Sequence, residues 1–465
     1  MKSQLFVLSV LSASLALSDV VATADFTQSP GKLRPALHST SWATRIKPRG
    51  PTNDDEAIRS LKQYAFRTHD APLCNVGQHV VDTHEIFPLI HLDANDPRNY
   101  VFKPTDHYLE VNFALGLKCL YRLGSSIEHT GPSWGYNTVN PKDHAKYAEV
   151  LAGIVRHYTR GWGDGYEWGE RFTGWELFNE PNVANCWRGT KDEFLDLFVT
   201  CLKRLKREFP DLRIGGPAFG WVDETYMREL LRACKAAGVA PDFLSWHSYS
   251  DSPYQVLELP AKARKICDEE GFPECGLVLN EWHYLLKGDF KSLKQPQDGP
   301  SGMKNIDSAV FTLQVETGFH DTPLDESYYY GCGYDGDYGY KEKDGRYAKV
   351  YYPVRAVGEM MATCEDRAVC TTADRRCGVF GAWTKDRRGA QLFVSDFRGP
   401  EMTLAVGIKG LEAMTNATVS VLDGWHDFAP AKGFTWKDGM LTLEKYEPGS
   451  AAFHVVFTPP DGAVL

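Results

Sequence analysis

From about residue 36 to residue 362 short apolar runs alternate with longer stretches of helical periodicity. The runs predict strands over 36–41, 64–68, 118–123, 174–179, 212–216, 243–247, 277–280 and 327–330. Between them the 3.6-residue period is clearest over 142–158 and 191–209. In the second, Phe194, Leu197, Phe198, Cys201, Leu202 and Leu205 share one face, and Pro210 stops the run. Such alternation predicts parallel strands joined by crossover helices. Eight repeats, none opening on a Gly-x-Gly-x-x-Gly turn, favour a closed (β/α)8 TIM barrel over an open doubly wound sheet.

After residue 363 the helices disappear. Strands are expected over 379–384, 390–397, 402–408, 417–422 and 451–457, separated by Gly, Asp and Pro turns, which is the pattern of a small β-sandwich. The chain therefore reads as an α/β protein, with a barrel over 25–362 and a C-terminal β-sandwich domain over 363–465. Three irregular stretches, 71–104, 287–306 and 331–345, follow strands two, seven and eight. Long loops there build the walls of a barrel's mouth.

Lys2, the apolar run 5–17 and Ala22-Thr23-Ala24 predict a signal peptide over 1–24, cleaved near Ala24, and hence a secreted or periplasmic protein. Apart from that short run nothing is apolar for the roughly 18 residues a membrane span needs. Against 61 acidic residues stand 51 Lys and Arg, and a net charge of -10 argues against nucleic acid as partner. The 12 Trp and 22 Tyr can stack on sugar faces as well as fill a core. With 11 cysteines, an exported chain leaves at least one outside intramolecular bridges. Cys267 and Cys275, and Cys364, Cys370 and Cys377, are close enough for local bridges and serve equally well as buried thiols.

Candidate chemistry gathers at two strand ends. The fourth strand finishes in Trp175-Glu176-Leu177-Phe178-Asn179-Glu180-Pro181, the seventh in Leu279-Asn280-Glu281-Trp282-His283. Each places a glutamate just past its apolar residues, and glycosidic cleavage needs two carboxyl groups flanking one bond. Glu176, inside the strand, is expected to alternate away from the barrel interior and to be structural. Asn179 is suited to donate to a sugar hydroxyl.

These runs, with Arg67-Thr68-His69, Arg156-His157-Tyr158, Gly215-Gly216-Pro217 and Asp242-Phe243-Leu244-Ser245-Trp246-His247-Ser248-Tyr249, resemble clan A of the glycoside hydrolases. Within the clan they are most similar to family 39, the β-xylosidases and α-L-iduronidases. The resemblance implies a retaining glycoside hydrolase with Glu180 as acid/base and Glu281 as nucleophile. Asn179 would hold the hydroxyl next to the reacting carbon. Arg67 would pair with the nucleophile and keep its pKa low, while His69, His247, Tyr249 and Trp282 would bind the sugar. The eighth strand, Tyr328-Tyr329-Tyr330-Gly331-Cys332, offers no tryptophan platform.

No cofactor is expected, and no catalytic metal. His84-Glu85 begins a His-Glu-x-x-His pattern that fails at Pro88, and Asp335-Gly336-Asp337 runs on into Gly339-Tyr340 instead of a calcium loop. The expected partner is a carbohydrate substrate trimmed from its end. The alternatives are an endo-acting β-glycanase of the same clan and a carbohydrate-binding barrel without turnover.

Overall fold

A computed structural model of the protein describes residues 20–41, 55–69, 71, 79–125, 138–294, 302–331, 337–342 and 344–460. Eight parallel strands close into a barrel: β1 (Ser39–Ser41), β2 (Ala65–Arg67), β3 (Lys118–Leu123), β4 (Phe172–Leu177), β5 (Ile214–Phe219), β6 (Phe243–Ser250), β7 (Gly276–Tyr284) and β8 (Glu326–Tyr330). Closure comes from β1 pairing with β8, Ser41 opposite Tyr330. All eight expected strands are present, displaced by a few residues at their ends.

The crossover helices owe their limits to local chemistry. Lys191–Glu208 starts in a capping box, in which the Glu193 amide donates to the Thr190 hydroxyl and the Glu193 carboxylate accepts from the Thr190 amide. Its buried residues are the six that share one face in the sequence. Helix Ile306–Gly318 differs, being buried on nearly every side from Ser308 to Thr317. The sandwich covers its outer face: Gln314 donates to the Arg376 carbonyl at 2.8 Å, and Arg398 reaches Asp307 and the Tyr284 hydroxyl, both at 2.7 Å.

The barrel interior is layered. An apolar floor of Ala65, Leu120, Phe243, Val278 and Tyr328 lies below a polar layer of Arg67, Glu176, Ser245 and Asn280. Gly174 suits the floor because a Cβ there would stand 3.3 Å from both Leu120 and Phe243. Glu176 thus points into the barrel, against the expectation that it alternates away. It is fully buried and accepts from Arg67 Nε at 2.6 Å, the Ser245 hydroxyl at 2.7 Å and Asn280 Nδ2 at 2.5 Å. A buried carboxylate needs such partners, and only the interior supplies them.

The sandwich has one sheet of five strands and one of six, and starts at Cys364–Arg367, directly after helix Tyr351–Thr363. It also takes in Val20–Asp25, which pairs antiparallel with Val369–Thr372 and parallel with Thr403–Lys409 and buries Ala22 and Ala24. The leader end expected near Ala24 falls inside this strand. Cleavage there would strip most of a strand hydrogen-bonded on both sides. Cys267, Cys275, Cys364, Cys370 and Cys377 carry free thiols. No described helix is long and apolar enough to cross a membrane.

Candidate active site

Two backbone devices aim the strand-end glutamates. After β4 the chain adopts left-handed φ at Phe178 (72°) and Glu180 (49°), and at the end of β5 Ala218 does the same (56°). Non-glycine residues take such values only where the surroundings hold them. Here the Phe178 amide donates to the Leu123 carbonyl at 2.8 Å and the Glu180 amide to the Ala218 carbonyl at 2.9 Å. Gly124 leaves room for the Phe178 ring, since a Cβ would lie 2.6 Å from it. On β7 the register against β6 shifts between Leu279, opposite Trp246, and Glu281, opposite His247. Asn280 is the extra residue, and a bulge re-aims the side chain that follows it. Asn280 reaches Glu176 below, and Glu281 still turns to the mouth.

The same bulge sends Trp282 outward. Its indole is 1% exposed, donates to the Ser327 hydroxyl at 2.7 Å and packs edge-on against Phe319 and Tyr329. Trp282 therefore belongs to the layer between barrel and helices and not to the cavity, where it was expected.

One oxygen each of Glu180 and Glu281, with a ring nitrogen of His247, lie within 4.8 Å of one another. Glu281 accepts from the Tyr249 hydroxyl at 2.5 Å and from Arg67 Nη1 at 3.4 Å, with His69 Nε2 at 3.7 Å. Arg67 is fully buried and divides its fork. Its shorter bonds go to Glu176 and, at 2.7 Å, to Asn179 Oδ1, so toward a sugar hydroxyl Asn179 would act as a donor. Glu180 is the more open carboxyl, in contact with His247 Nδ1 at 2.8 Å and the Cys186 thiol at 3.4 Å. The three clustered donors resemble a metal site in composition, but the Arg67 cation beside Glu281 disfavours a divalent ion there.

Burial pushes the Glu281 carboxyl up to about 7, and the Glu180 charge adds to this, while His247, Arg67 and Tyr249 pull it down. The expectation of a carboxyl held low by Arg67 is corrected: the cation acts in that direction, but desolvation outweighs it. Two carboxylates this close, one of them buried, keep one proton between them. Burial holds the His247 imidazole down at about 4, so it is neutral at ordinary pH. A neutral ring can serve both carboxyls in either tautomer: Nδ1 accepts from protonated Glu180 while Nε2–H faces ionised Glu281 at 3.6 Å, or Nδ1–H donates to ionised Glu180 while Nε2 faces protonated Glu281. The first arrangement is the one in which Glu180 can act as the acid. The pair should then lose its last proton near pH 7, and kcat/KM on an unactivated substrate should fall as pH rises through that value. In Tyr249→Phe, which removes a donor from the ionised form, the limb should move to higher pH. A wild-type profile flat to pH 9 would contradict this reading.

These groups open into a cavity of about 740 Å³. Its described walls come from β4 (Val183), β5 (Gly220, Trp221, Val222), β6 and its helix (Tyr249, Ser250, Gln255, Leu259), β7 (Gly288, Phe290), β8 (Tyr330, Tyr338) and β2 (His69). Trp221, Phe290 and Tyr330 did not stand out in the sequence. Trp221 could have, since it directly follows a strand-end glycine as Glu180 follows a strand end. Of the tyrosines after β8, Tyr338 lines the cavity, Tyr340 is buried against Tyr329 and Tyr351, and Tyr334 and Asp335-Gly336 lie outside the described residues. Asp82-Thr83-His84-Glu85 is structural: Asp82, fully buried, pairs with Arg122, and the Gly124 amide donates to the Thr83 hydroxyl at 3.0 Å.

The chain is similar over 225 residues, at 26% identity, to a β-xylosidase of Geobacillus stearothermophilus, a match covering 43% of this chain and 44% of the other. A second β-xylosidase, from Caldicellulosiruptor saccharolyticus, is 32% identical over 114 residues, 24% of this chain and 22% of that one. The matches thus span less than half the length of these curated relatives. Among solved structures, a glucosidase from Croceicoccus marinus shares the fold at a TM-score of 0.75 and 21% identity, covering 94% of this chain and 99% of the other. The model of glycosyl hydrolases family 39 matches residues 57–260, the stretch that carries Arg67, His69, Asn179, Glu180, His247 and Tyr249 into one barrel mouth. Over that stretch, as in the two curated relatives, the chain is similar to glycosyl hydrolases family 39, of clan A.

Proposed function

We propose that the protein is a retaining glycoside hydrolase that releases terminal sugars, β-linked xylose foremost, from the ends of oligosaccharides. The observation that carries this reading is the spacing of the two glutamates, whose nearest oxygens lie within 4.8 Å. Carboxyl groups roughly 5 Å apart leave room for direct attack on the anomeric carbon and none for an intervening water. Glu281 attacks that carbon while Glu180 gives its proton to the departing oxygen, and a glycosyl ester forms on Glu281. Glu180, now ionised, takes a proton from water. The water oxygen bonds to the anomeric carbon, and Glu281 leaves as carboxylate. Two displacements restore the starting configuration.

Xylose is proposed from the names of the two curated relatives, and end-wise action from the cavity. Successive strand ends from β4 to β8, with His69 of β2, wall the carboxylates, and a cavity walled in this way admits a chain end more readily than its middle. The test is a time course on a reducing-end-labelled β-1,4-xylooligosaccharide, with the anomer of the first product read by NMR. Monosaccharide from the earliest point, formed as the β-anomer, is the expected result. Internal fragments would favour the endo-glycanase reading, and an α-anomer would reject the double displacement.

A further inference from the structure

The cavity divides between its two carboxyl groups. Around Glu281 stand aromatic rings and hydrogen-bonding groups: Tyr249 on the carboxylate itself, Phe290 at 5.1 Å from the Tyr249 ring, Tyr330 against Tyr338 at 4.9 Å, and His69. That half suits a sugar held at its hydroxyls and stacked at its faces. The other half is different in kind. Beyond Glu180 the described wall is Val183, Gly220, Trp221 and Val222.

Gly220 ties this wall to the acid. A Cβ there would stand 3.2 Å from Glu180 Oε1 and 3.0 Å from Val183, so the backbone runs against the carboxyl and Trp221 follows one residue later. Trp175, Trp246 and Trp282 are buried in the barrel, whereas Trp221 is 51% exposed at the cavity wall. Some polar groups nearby are engaged with each other, and Asn182 Nδ2 is buried without a hydrogen-bond partner among the described residues. The Gly220 amide donates to Asn182 Oδ1 at 2.9 Å, and the Ser250 hydroxyl donates to Gln255 Oε1 at 2.9 Å. Little among the described residues on that side is set to take the hydroxyls of a second sugar. Any hydroxyl of a second sugar that is taken out of water against this wall without a partner costs more than an apolar contact returns.

We propose that Trp221, with Val183 and Val222, forms a leaving-group platform that selects glycosides with an apolar aglycone, alkyl or aryl, over an unmodified second sugar. The inference rests on Glu180 being the acid, because the leaving group lies on the side of the group that protonates it. A methylene fully removed from water adds roughly fourfold to affinity, and a half-open platform returns part of that for each.

Binding to the Glu281→Gln protein, measured by calorimetry, reads the platform without turnover. The ligands are methyl and octyl β-xylosides, the same pair of β-glucosides, and xylobiose, all below micellar concentration. In at least one series the octyl glycoside should bind about tenfold or more tighter than the methyl glycoside, with xylobiose within about threefold of methyl xyloside. Adding Trp221→Ala should shrink the octyl advantage to under about threefold, and Trp221→Phe should keep most of it. Equal methyl and octyl affinities, an advantage unchanged in Trp221→Ala, xylobiose as the tightest ligand, or no octyl binding in either series would each overturn the platform. An octyl advantage in a protein that hydrolyses none of these glycosides would strike the hydrolase reading and leave the platform standing.

Discussion

Glu281→Ala should lower turnover of an unactivated glycoside by at least about 10⁴-fold while the fold survives, because among the described residues no other group is placed to attack the anomeric carbon. The truncation opens a small space beside Tyr249 and Arg67, where azide fits. Azide should restore cleavage of an activated aryl glycoside in a single displacement, giving a glycosyl azide of inverted configuration. Glu180→Ala should behave differently. Poor leaving groups should lose about 10²–10⁴-fold, and dinitrophenyl glycosides, which depart without a proton, far less. In that variant the glycosyl ester on Glu281 still forms, so azide should yield the retained product. The opposite azide stereochemistry in the two variants would exchange the roles of the glutamates. Full activity of either variant on an unactivated glycoside would remove it from the mechanism.

The barrel was legible in the sequence because each strand is an apolar run of suitable length, bounded by turns and followed by an amphipathic helix. The strand-end rule then led to Glu180 and Glu281 without any contact being known. What stayed hidden depends on events of one residue. Strict alternation along β7 would put Asn280 and Trp282 on one face and Glu281 on the other. The bulge at Asn280 breaks that count, and nothing in Leu279-Asn280-Glu281-Trp282 announces it. Glu176 was misread for a related reason: counting outward from a strand whose phase is unknown is right half the time, and its burial depends on Arg67, Ser245 and Asn280 from three other strands. Val20–Asp25 was not legible as a strand because small apolar residues near an N-terminus satisfy a leader's requirements and an inner strand's alike. Its partners lie more than 340 residues away along the chain.

The largest effect on stability is expected from Arg67→Ala. This guanidinium is fully buried below the site, bonded to Glu176 at 2.6 Å and Asn179 at 2.7 Å, with Glu281 at 3.4 Å. It is the cation in contact with Glu176, which also accepts from Ser245 and Asn280, both neutral. Removing one member of a buried pair strands the other charge, at a cost of about 3–5 kcal/mol. Glu176→Gln should cost less, about 1–3 kcal/mol, because the amide can still accept from its neighbours and the stranded charge is then a guanidinium with Glu281 close by. In the double variant neither charge is stranded, so its loss should fall well short of the sum of the two. Urea unfolding followed by tryptophan fluorescence gives the three midpoints. Arg67→Ala within about 1 kcal/mol of wild type, or strictly additive losses, would mean that water reaches Glu176 and that the polar layer is not sealed. Activity supplies a second readout. Without the cation the Glu281 carboxyl rises further and competes with Glu180 for their shared proton, so Arg67→Ala should lose kcat even where it remains folded, whereas Glu176→Gln, which leaves Arg67 facing Glu281, should lose less.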